Sequence, residues 1–217
     1  MPPRLSLLQK LIPDRVPEVH NSMPYIPLQK RLRTDIASEL KKELGISNIH
    51  ALPRITKVTV NVGLNQGKYS SKEIQQFITE SLATITGQRP SPRRSRKAIS
   101  NFNIRQNLIV GLSATLRGKT MYAFLDRLIH YALPRIRDFR GLPTKLDGHG
   151  NYAIGITDQS IFPELPAPDA NKIFGMQIQI TTTAGTDERG MALLKQIGLP
   201  FRRPAKKAVS SIEKSAA

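Results

Sequence analysis

The amino-acid sequence predicts an α+β fold in which helices cover one face of a mostly antiparallel sheet. Segments with an apolar residue every three or four positions alternate with short segments in which apolar and polar residues alternate strictly. The order is helix, strand, helix, basic segment, strand, helix, strand, strand, helix. Strict alternation leaves one face of each strand polar, so the uncovered sheet face is expected to be polar and basic. The basic segment is expected to form a long hairpin loop.

The first half of the chain supplies two helices around one strand. From Leu28 to Leu44 an aliphatic residue recurs every fourth position, and Gly45 stands where a helix C-cap is expected. Residues 54–63 read RITKVTVNVG and place valines on one face, with Asn61 on the other. Residues 70–87 predict a second helix, whose buried stripe is Ile74, Phe77, Ile78, Leu82 and Ile85.

The second half continues the same pattern. Residues 107–118, NLIVGLSATLRG, predict a strand with Thr115 and Arg117 on its polar face. A third helix is expected to end at Pro134. Residues 151–157 and 174–184 predict two further strands, the latter with Met176, Ile178 and Ile180 turned inward, and a short helix follows Thr186. The third helix buries Met121, Phe124, Leu125, Leu128, Ile129 and Ala132, and the last one carries Met191, Leu194 and Ile197.

The charge is strongly positive and localised. There are 33 Lys and Arg residues against 16 Asp and Glu residues, which gives a net charge of +17. No acid occurs between Glu80 and Asp126, a window that contains the basic loop, residues 89–107. Two further basic clusters cover residues 127–145 and residues 202–214. A polyanion is therefore the expected partner, and nucleic acid is the commonest one. An anionic membrane surface is the rival, but the chain has no Trp and its basic clusters lie outside the predicted helices. No apolar run is long enough for a membrane-spanning helix.

The chain is expected to have three parts. Residues 1–27 form a proline-rich N-terminal extension, expected to be mobile or docked on a partner, because so many prolines prevent a continuous helix. Asp14 and Glu18 argue against a transit peptide, and Met23 is an alternative start to Met1. Residues 28–203 form a single α+β RNA-binding domain, and residues 204–217 form a basic C-terminal tail.

Nothing in the sequence predicts an enzyme. The chain has no cysteine, which excludes disulfides and cysteine-ligated metals, and its histidines lack metal-ligand spacing. Asp147 and His149 in DGHGNY are a candidate acid–base pair, but glycines around one histidine more often mark a tight turn. We expect no metal, no cofactor, no membrane and no small-molecule substrate. A structural RNA-binding protein is favoured over a free-standing RNA-binding or RNA-chaperone protein, and over an enzyme acting on RNA.

Several sequence segments resemble one known family. They include PRITKVTVNVGLN, ITGQRP, RRSRKAISNFNIRQ, ATLRG, MYAFLDRLIHYALPRIRDFRGL, GNYAIGI and GMQIQITTTAGTDERGMALLKQIGLPFRR, in this order. The chain resembles the bacterial-type large-subunit ribosomal protein five family from about residue 25 to residue 203.

The resemblance implies a structural role in the central protuberance of the large ribosomal subunit. It places 5S rRNA contacts on Asn61, Gln88 and Thr115, with Arg89 and Arg117 beside them. It also implies that the basic loop touches P-site tRNA, through residues taken to be Arg93, Arg94, Arg96, Lys97, Asn101, Phe102 and Asn103. Further rRNA contacts are expected at Arg135, Arg137, Arg140, Arg202 and Arg203.

The same resemblance implies the other partners and the location. The partners are large-subunit (23S-type) rRNA, other 5S-associated ribosomal proteins and, across an intersubunit bridge, small-subunit ribosomal protein thirteen. The location is a cytoplasmic bacterial ribosome, with an organellar ribosome as the alternative. Family members commonly have glycine where Asn101 and Asn107 stand, and asparagine tolerates the positive φ that glycine permits.

Overall fold

The computed structural model describes residues 27–202, except Ser47, Gln66, Lys68, Ser70, residues 166–171 and the side chain of Arg33. The extension before Pro27, the candidate site residue Arg203 and the basic tail lie outside the described residues. The helices and strands are α1 (Leu28–Arg33), α2 (Asp35–Leu44), β1 (Ile55–Gly63), α3 (Lys72–Thr86), β2 (Ser91–Arg94), β3 (Ile109–Leu116), α4 (Gly118–Arg127), β4 (Tyr152–Ile156), β5 (Met176–Thr182) and α5 (Asp187–Ile197).

The five strands form one antiparallel sheet in the order β2-β3-β1-β5-β4, and the predicted α+β fold is confirmed. β1 is central, and Val60 pairs with Ala114 of β3 and with Ile178 of β5. These three side chains are buried, as alternation predicts for one face of neighbouring strands.

One hydrophobic core joins the buried strand faces to the helices. The valines of β1 and the isoleucines of β5 are fully buried in it together with Ile78, Leu82 and Ile85 of α3. The whole predicted stripe of the third helix, from Met121 to Ala132, also lies there. Burial of such side chains stabilises each by roughly 1.5–3 kcal/mol, so the core sets the orientation of β1, β3, β4 and β5, which contribute residues to it.

The first predicted helix is broken at Thr34. Its side-chain hydroxyl donates a 3.2 Å hydrogen bond to the carbonyl oxygen of Lys30, and its backbone departs from helical geometry at φ −101° and ψ −77°. Thr79 and Thr84 make the same i−4 hydrogen bond inside the continuous α3, so this bond accompanies the break at Thr34 and does not by itself explain it. The apolar stripe nevertheless continues across the break, because Leu28, Ile36 and Leu40 are all buried.

The third predicted helix changes its winding before it ends. α4 runs into a π-helical turn, Leu128–Ala132, and then a 3₁₀ turn, Leu133–Arg135. Pro134 has no backbone N–H to donate, so the regular α pattern cannot pass through it. The end predicted at Pro134 therefore lies inside the final 3₁₀ turn.

Part of the basic loop joins the sheet as its edge strand. Ser91, Pro92 and Arg93 of β2 pair with Ser113, Leu112 and Gly111 of β3. Proline cannot donate to a strand ladder, and edge strands are where sheets accept it. The cations Arg93 and Arg94 are therefore held on the border of the sheet, with exposed side chains.

Candidate nucleic-acid interface

The sheet face opposite the core carries polar side chains from the three central strands. Directly paired residues share a face, so Asn61 lies between Ser113 and Gln177, and Thr59 lies between Thr115 and Gln179. We call Thr59, Asn61, Ser113, Thr115, Gln177 and Gln179 the polar sheet face. Asn61, Thr115, Gln177 and Gln179 are exposed, whereas Ser113 is buried between Asn61 and Ser91 of its two neighbouring strands.

Gln88 is brought to this face by the end of α3. Gly87 adopts a left-handed conformation, with φ +71°, and ends the helix. The hydroxyl of Thr86 donates to the carbonyl oxygen of Gln88 at 2.9 Å, and Gln88 Nε2 donates to the carbonyl oxygen of Thr115 at 2.8 Å. Asn61 and Thr115 are diagonal neighbours on adjacent strands. The structure therefore brings Asn61, Gln88 and Thr115 together.

Two cations extend this cluster along the chain. Arg89 follows Gln88 directly, and Arg117 follows the last residue of β3. Both side chains are exposed. A guanidinium group presents several donors in a planar fork that suits phosphate oxygens. The arrangement combines neutral hydrogen-bonding groups with cations placed before and after them.

Gln177 and Gln179 were not among the predicted site residues. Their signal was present, because alternation that turns Met176, Ile178 and Ile180 inward turns the two glutamines outward. What the sequence lacked was the pairing of β5 with β1, which places these glutamines beside Asn61 and Thr59.

Beyond β2 the basic loop continues as a hydrogen-bonded hairpin. Ser95 N donates to the Leu108 carbonyl at 2.8 Å, and Asn107 N donates to the Ser95 carbonyl at 3.0 Å. Farther out, Ile99 N donates to Ile104 O at 2.8 Å and Ile104 N donates to Ile99 O at 3.1 Å. Arg96 and Lys97, between these two pairs, are exposed. The loop thus has defined main-chain geometry.

The tip of the basic loop presents one aromatic ring between two asparagines. Phe102 is 69% exposed, the largest value among the exposed large apolar residues of the described chain. Asn103 has φ +53° and Asn107 has φ +64°, so asparagine occupies the left-handed region at both positions. Asn101 does not adopt positive φ. Exposed aromatic rings flanked by cations can stack on nucleic-acid bases.

The cations of the basic loop have no acidic partner among the described side chains. In that part of the chain, the one arginine in a carboxylate ion pair is Arg127, whose Nη1 lies 2.6 Å from Glu164 Oε1. Arg127 Nη2 also donates to the Ile85 carbonyl at 2.9 Å. The guanidinium group of Arg127 is therefore used inside the fold and does not contribute to the basic cluster of residues 127–145. The arginines of the basic loop remain available to an external anion.

The second and third basic clusters meet in the folded chain. Leu142 N donates to Pro200 O at 2.8 Å, and Arg202 N donates to Leu142 O at 2.8 Å. Gly141 has φ +95°, and a Cβ atom there would lie 2.7 Å from Arg202 N. The contact between Leu142 and residues 200–202 thus brings the chain near Arg140 and the chain at Arg202 together, although the two arginines are 62 positions apart in the sequence. Arg135, Arg137, Arg140 and Arg202 are exposed.

The buried side chain of Tyr152 packs against this contact. The Tyr152 hydroxyl donates to the Pro143 carbonyl, and its ring packs edge-on against Phe201 with centroids 5.5 Å apart. Burial raises the pKa of Tyr152 to about 12, so the hydroxyl keeps its proton at neutral pH.

The Asp147 and His149 pair forms a turn and no acid–base site. Asp147 Oδ1 accepts from His149 N and Asn151 N, both at 2.9 Å, and Oδ2 accepts from Asn151 Nδ2 at 2.7 Å. The hydrogen bond from the Asn151 side chain, followed by that from His149 N, lowers the pKa of Asp147. The carboxylate is thus occupied by its own loop, and Asp187 Oδ1 holds the same loop through Gly148 N and Gly150 N, both at 3.0 Å.

Two features are absent from the described residues. No cluster of three or more metal-ligating side chains is present in them. None of the helices described combines the length and apolar character needed to cross a bilayer.

Comparison with known proteins covers almost the whole described chain. The family model described as "Ribosomal protein L5" matches residues 48–105, and the model of the "ribosomal L5P family C-terminus" matches residues 109–201. A large ribosomal subunit protein uL5 from Synechocystis sp. is 52% identical over 180 residues, which cover 81% of this chain and 99% of that protein. Proteins of the same name from Synechococcus sp. and Prochlorococcus marinus are 51% identical over 176 residues, covering 81% of this chain and 98% of theirs.

Proposed function

Since the chain belongs to the ribosomal protein L5 family, we propose that it holds 5S rRNA against the polar sheet face. The protein is a structural, non-enzymatic constituent of the large ribosomal subunit and binds rRNA. The observation that carries the proposal is the convergence of Asn61, Thr115 and Gln88 on one exposed side of the sheet. An RNA strand lying there meets amide and hydroxyl groups suited to bases and 2′-hydroxyls.

Arg89 and Arg117 complete this contact by binding phosphates. Both are exposed; Arg89 follows Gln88 directly, and Arg117 lies two positions after Thr115. Phosphate contacts position an RNA strand and supply the salt-dependent part of its affinity, whereas the amides supply directional contacts. The two kinds of group therefore have separable effects on binding.

The basic loop contacts P-site tRNA. The main-chain pairs Ser95–Leu108 and Ile99–Ile104 extend it away from β2 and β3, and nine extended residues reach ~30 Å. Arg93, Arg94, Arg96 and Lys97 contact phosphates, which are common to every tRNA. Asn101, Phe102 and Asn103 at the tip reach the tRNA surface first.

The arginines of the second and third basic clusters bind additional rRNA of the large subunit, of the 23S type. The contact between residues 140–142 and Arg202 gathers Arg140 and Arg202. Arg135, Arg137 and Arg203 extend the same basic region along the sequence. In the central protuberance the protein adjoins other 5S-associated ribosomal proteins, and it contributes to the bridge with small-subunit ribosomal protein thirteen. The ribosome that contains it is cytoplasmic or organellar.

The direct test is 5S rRNA binding by a variant of the polar sheet face. Asn61→Ala should lower the affinity roughly 3- to 10-fold, as expected for one lost hydrogen bond to RNA. Gln76→Ala, which removes an exposed amide from α3, is the matched control and should bind as the unmodified protein does. Equal affinities for Asn61→Ala and the unmodified protein would remove this face from the binding site.

A further inference from the structure

The carboxyl end of α3 is held by a side chain from another helix. The last carbonyl groups of an α-helix have no hydrogen-bond partner within the helix itself. One of them, the carbonyl of Ile85, accepts a 2.9 Å hydrogen bond from Arg127 Nη2, 42 positions further along the chain. The helix dipole also favours a cation at this end of a helix. The last residue of α4 therefore fixes the end of α3.

Arg127 is in turn oriented by Glu164. Its Nη1 lies 2.6 Å from Glu164 Oε1, and both side chains are partly buried. Glu164 stands two positions after Phe162, whose buried ring stacks on that of Phe124 with centroids 6.2 Å apart. Phe124 precedes Arg127 by three positions, about one turn of α4. Two neighbouring side chains of α4 thus bind residues 162–164, and this contact sets the direction of the guanidinium group.

A short segment with defined contacts carries this restraint from Ile85 to Gln88. The hydroxyl of Thr86 lies 2.9 Å from the Gln88 carbonyl oxygen and donates to it. Gly87 N donates a 2.8 Å hydrogen bond back into the last turn of α3. Each of the two residues between Ile85 and Gln88 is therefore held by a hydrogen bond. The position of the Gln88 side chain depends on where Arg127 holds the end of the helix.

The pair formed by Arg127 and Glu164 is not arranged for stability alone. Glu164 Oε2 is buried and accepts no hydrogen bond within the described part of the chain. A buried polar atom without a partner costs free energy, which offsets the attraction between the two charges. What the pair does supply is geometry, because one planar guanidinium group joins Glu164 to the Ile85 carbonyl.

We propose that Arg127 is a positioning residue for rRNA binding, and that it acts through the Ile85 carbonyl to orient Gln88 beside the polar sheet face. The inference rests on the proposed contact of that face with 5S rRNA. Arg127 itself touches no RNA in this arrangement. Gln88 Nε2 is engaged by the Thr115 carbonyl, so the side-chain oxygen of Gln88 is the atom offered to RNA. A looser end of α3 spreads this oxygen over several positions, and binding must then restore the lost order.

Hydrogen exchange tests the restraint without RNA. Arg127→Lys keeps the positive charge but replaces the planar fork by a single point charge, which cannot bridge the same two acceptors. The Gly87 amide should then exchange faster, by roughly fivefold more than the amide of Val60 in the central strand β1, which reports global unfolding. Equal acceleration at both amides, or none at Gly87, would overturn the proposal.

A double-mutant cycle tests the route through Gln88. Arg127→Lys should lower the affinity for 5S rRNA roughly 3- to 5-fold in the otherwise unmodified protein, and by less than about 1.5-fold when Gln88→Ala is also present. Combined with Asn61→Ala it should keep its full effect, because Asn61 lies on β1. An effect that persists beside Gln88→Ala, or one that is absent from the unmodified protein, would contradict the positioning role.

A matched control separates positioning from a general loss of stability. Ile197→Val shortens a buried side chain of α5 and should destabilise the fold without lowering RNA affinity. If it weakens binding as much as Arg127→Lys does, the proposal is wrong. Failure of the 5S rRNA contact itself has a different signature, since Gln88→Ala and Asn61→Ala would then both bind as the unmodified protein does. That result would remove the contact, and the positioning role with it, even if exchange at Gly87 were faster.

Discussion

Gln88 Nε2 donates a 2.8 Å hydrogen bond to the main-chain carbonyl oxygen of Thr115. This bond ties Gln88, two positions after the end of α3, to strand β3, 27 positions further along the chain. Because the acceptor belongs to the main chain, the hydroxyl of Thr115 is not used by this bond and remains exposed on the polar sheet face. The fold therefore uses the carbonyl oxygen of Thr115, and the proposed RNA contact uses its hydroxyl group.

The first prediction uses this separation. Gln88→Ala removes the donor and should lower the free energy of unfolding by about 1 kcal/mol. Thr115→Ala keeps the carbonyl and should change it by less than about 0.5 kcal/mol, as surface substitutions usually do. Urea unfolding of both variants measures the difference. If Thr115→Ala were as destabilising as Gln88→Ala, the hydroxyl would have a structural role that the structure does not explain.

The second prediction concerns the cations of the basic loop outside β2. Replacing Arg96 and Lys97 with alanine should weaken P-site tRNA binding to large subunits and spare 5S rRNA. Each lost phosphate contact should reduce the slope of log affinity against log salt by roughly 0.7–0.9. Affinity measured at several salt concentrations gives the slope, with Lys41→Ala on α2 as the exposed control. Loss of 5S rRNA from the variant subunits would identify the loop as an assembly element instead.

The third prediction concerns the contact of residues 140–142 with Arg202. Gly141→Ala combines a positive φ of +95° with a Cβ atom 2.7 Å from Arg202 N. Gly148→Ala has a similar φ, +90°, with nothing within 4 Å of the added atom. Both substitutions should lower the free energy of unfolding by about 1–2 kcal/mol because of left-handed backbone strain. Gly141→Ala should lower it further because of the clash. Comparing the thermal unfolding of the two variants measures the contribution of the clash. Equal destabilisation would mean that the backbone near Arg202 can shift to accommodate the added Cβ atom.

The fourth prediction is the pH dependence of the loop around Asp147. Its pKa is lowered in the folded protein, first by the Asn151 side chain and then by His149 N. The folded state therefore binds this proton more weakly than the unfolded chain, whose aspartates titrate near 3.9. The contribution of Asp147 to stability is complete at neutral pH and declines as the pH falls below about 4. Asp147→Asn should flatten that decline in unfolding measurements between pH 7 and pH 3, and an identical decline would exclude Asp147 as its source.

The sheet was predictable from the sequence because its determinants are local. Alternation in β1 and β5 reflects contact with a single core, and Val60 and Ile178 are buried where alternation puts them. The same alternation placed Asn61 and Thr115 on the exposed side. Each of these positions depends only on its own strand, so neighbouring residues suffice to assign it.

Features that depend on contacts distant in sequence were not predictable. The amide of Gln88 finds a carbonyl 27 positions away, and Arg127 is recruited by Glu164, 37 positions away. Gln177 and Gln179 became site residues only once β5 was seen to pair with β1. Periodicity reports which way a side chain points and carries no information on its partner.

Pro92 in the edge strand has a consequence for the protein before it reaches the ribosome. An edge strand offers unpaired main-chain groups to any other strand, including that of a second copy, and such pairing begins aggregation. In β2 the proline removes a donor from the ladder, and Arg93 and Arg94 repel an identical edge. The edge strand β2, which carries these cations, thus also protects the newly made chain from self-association.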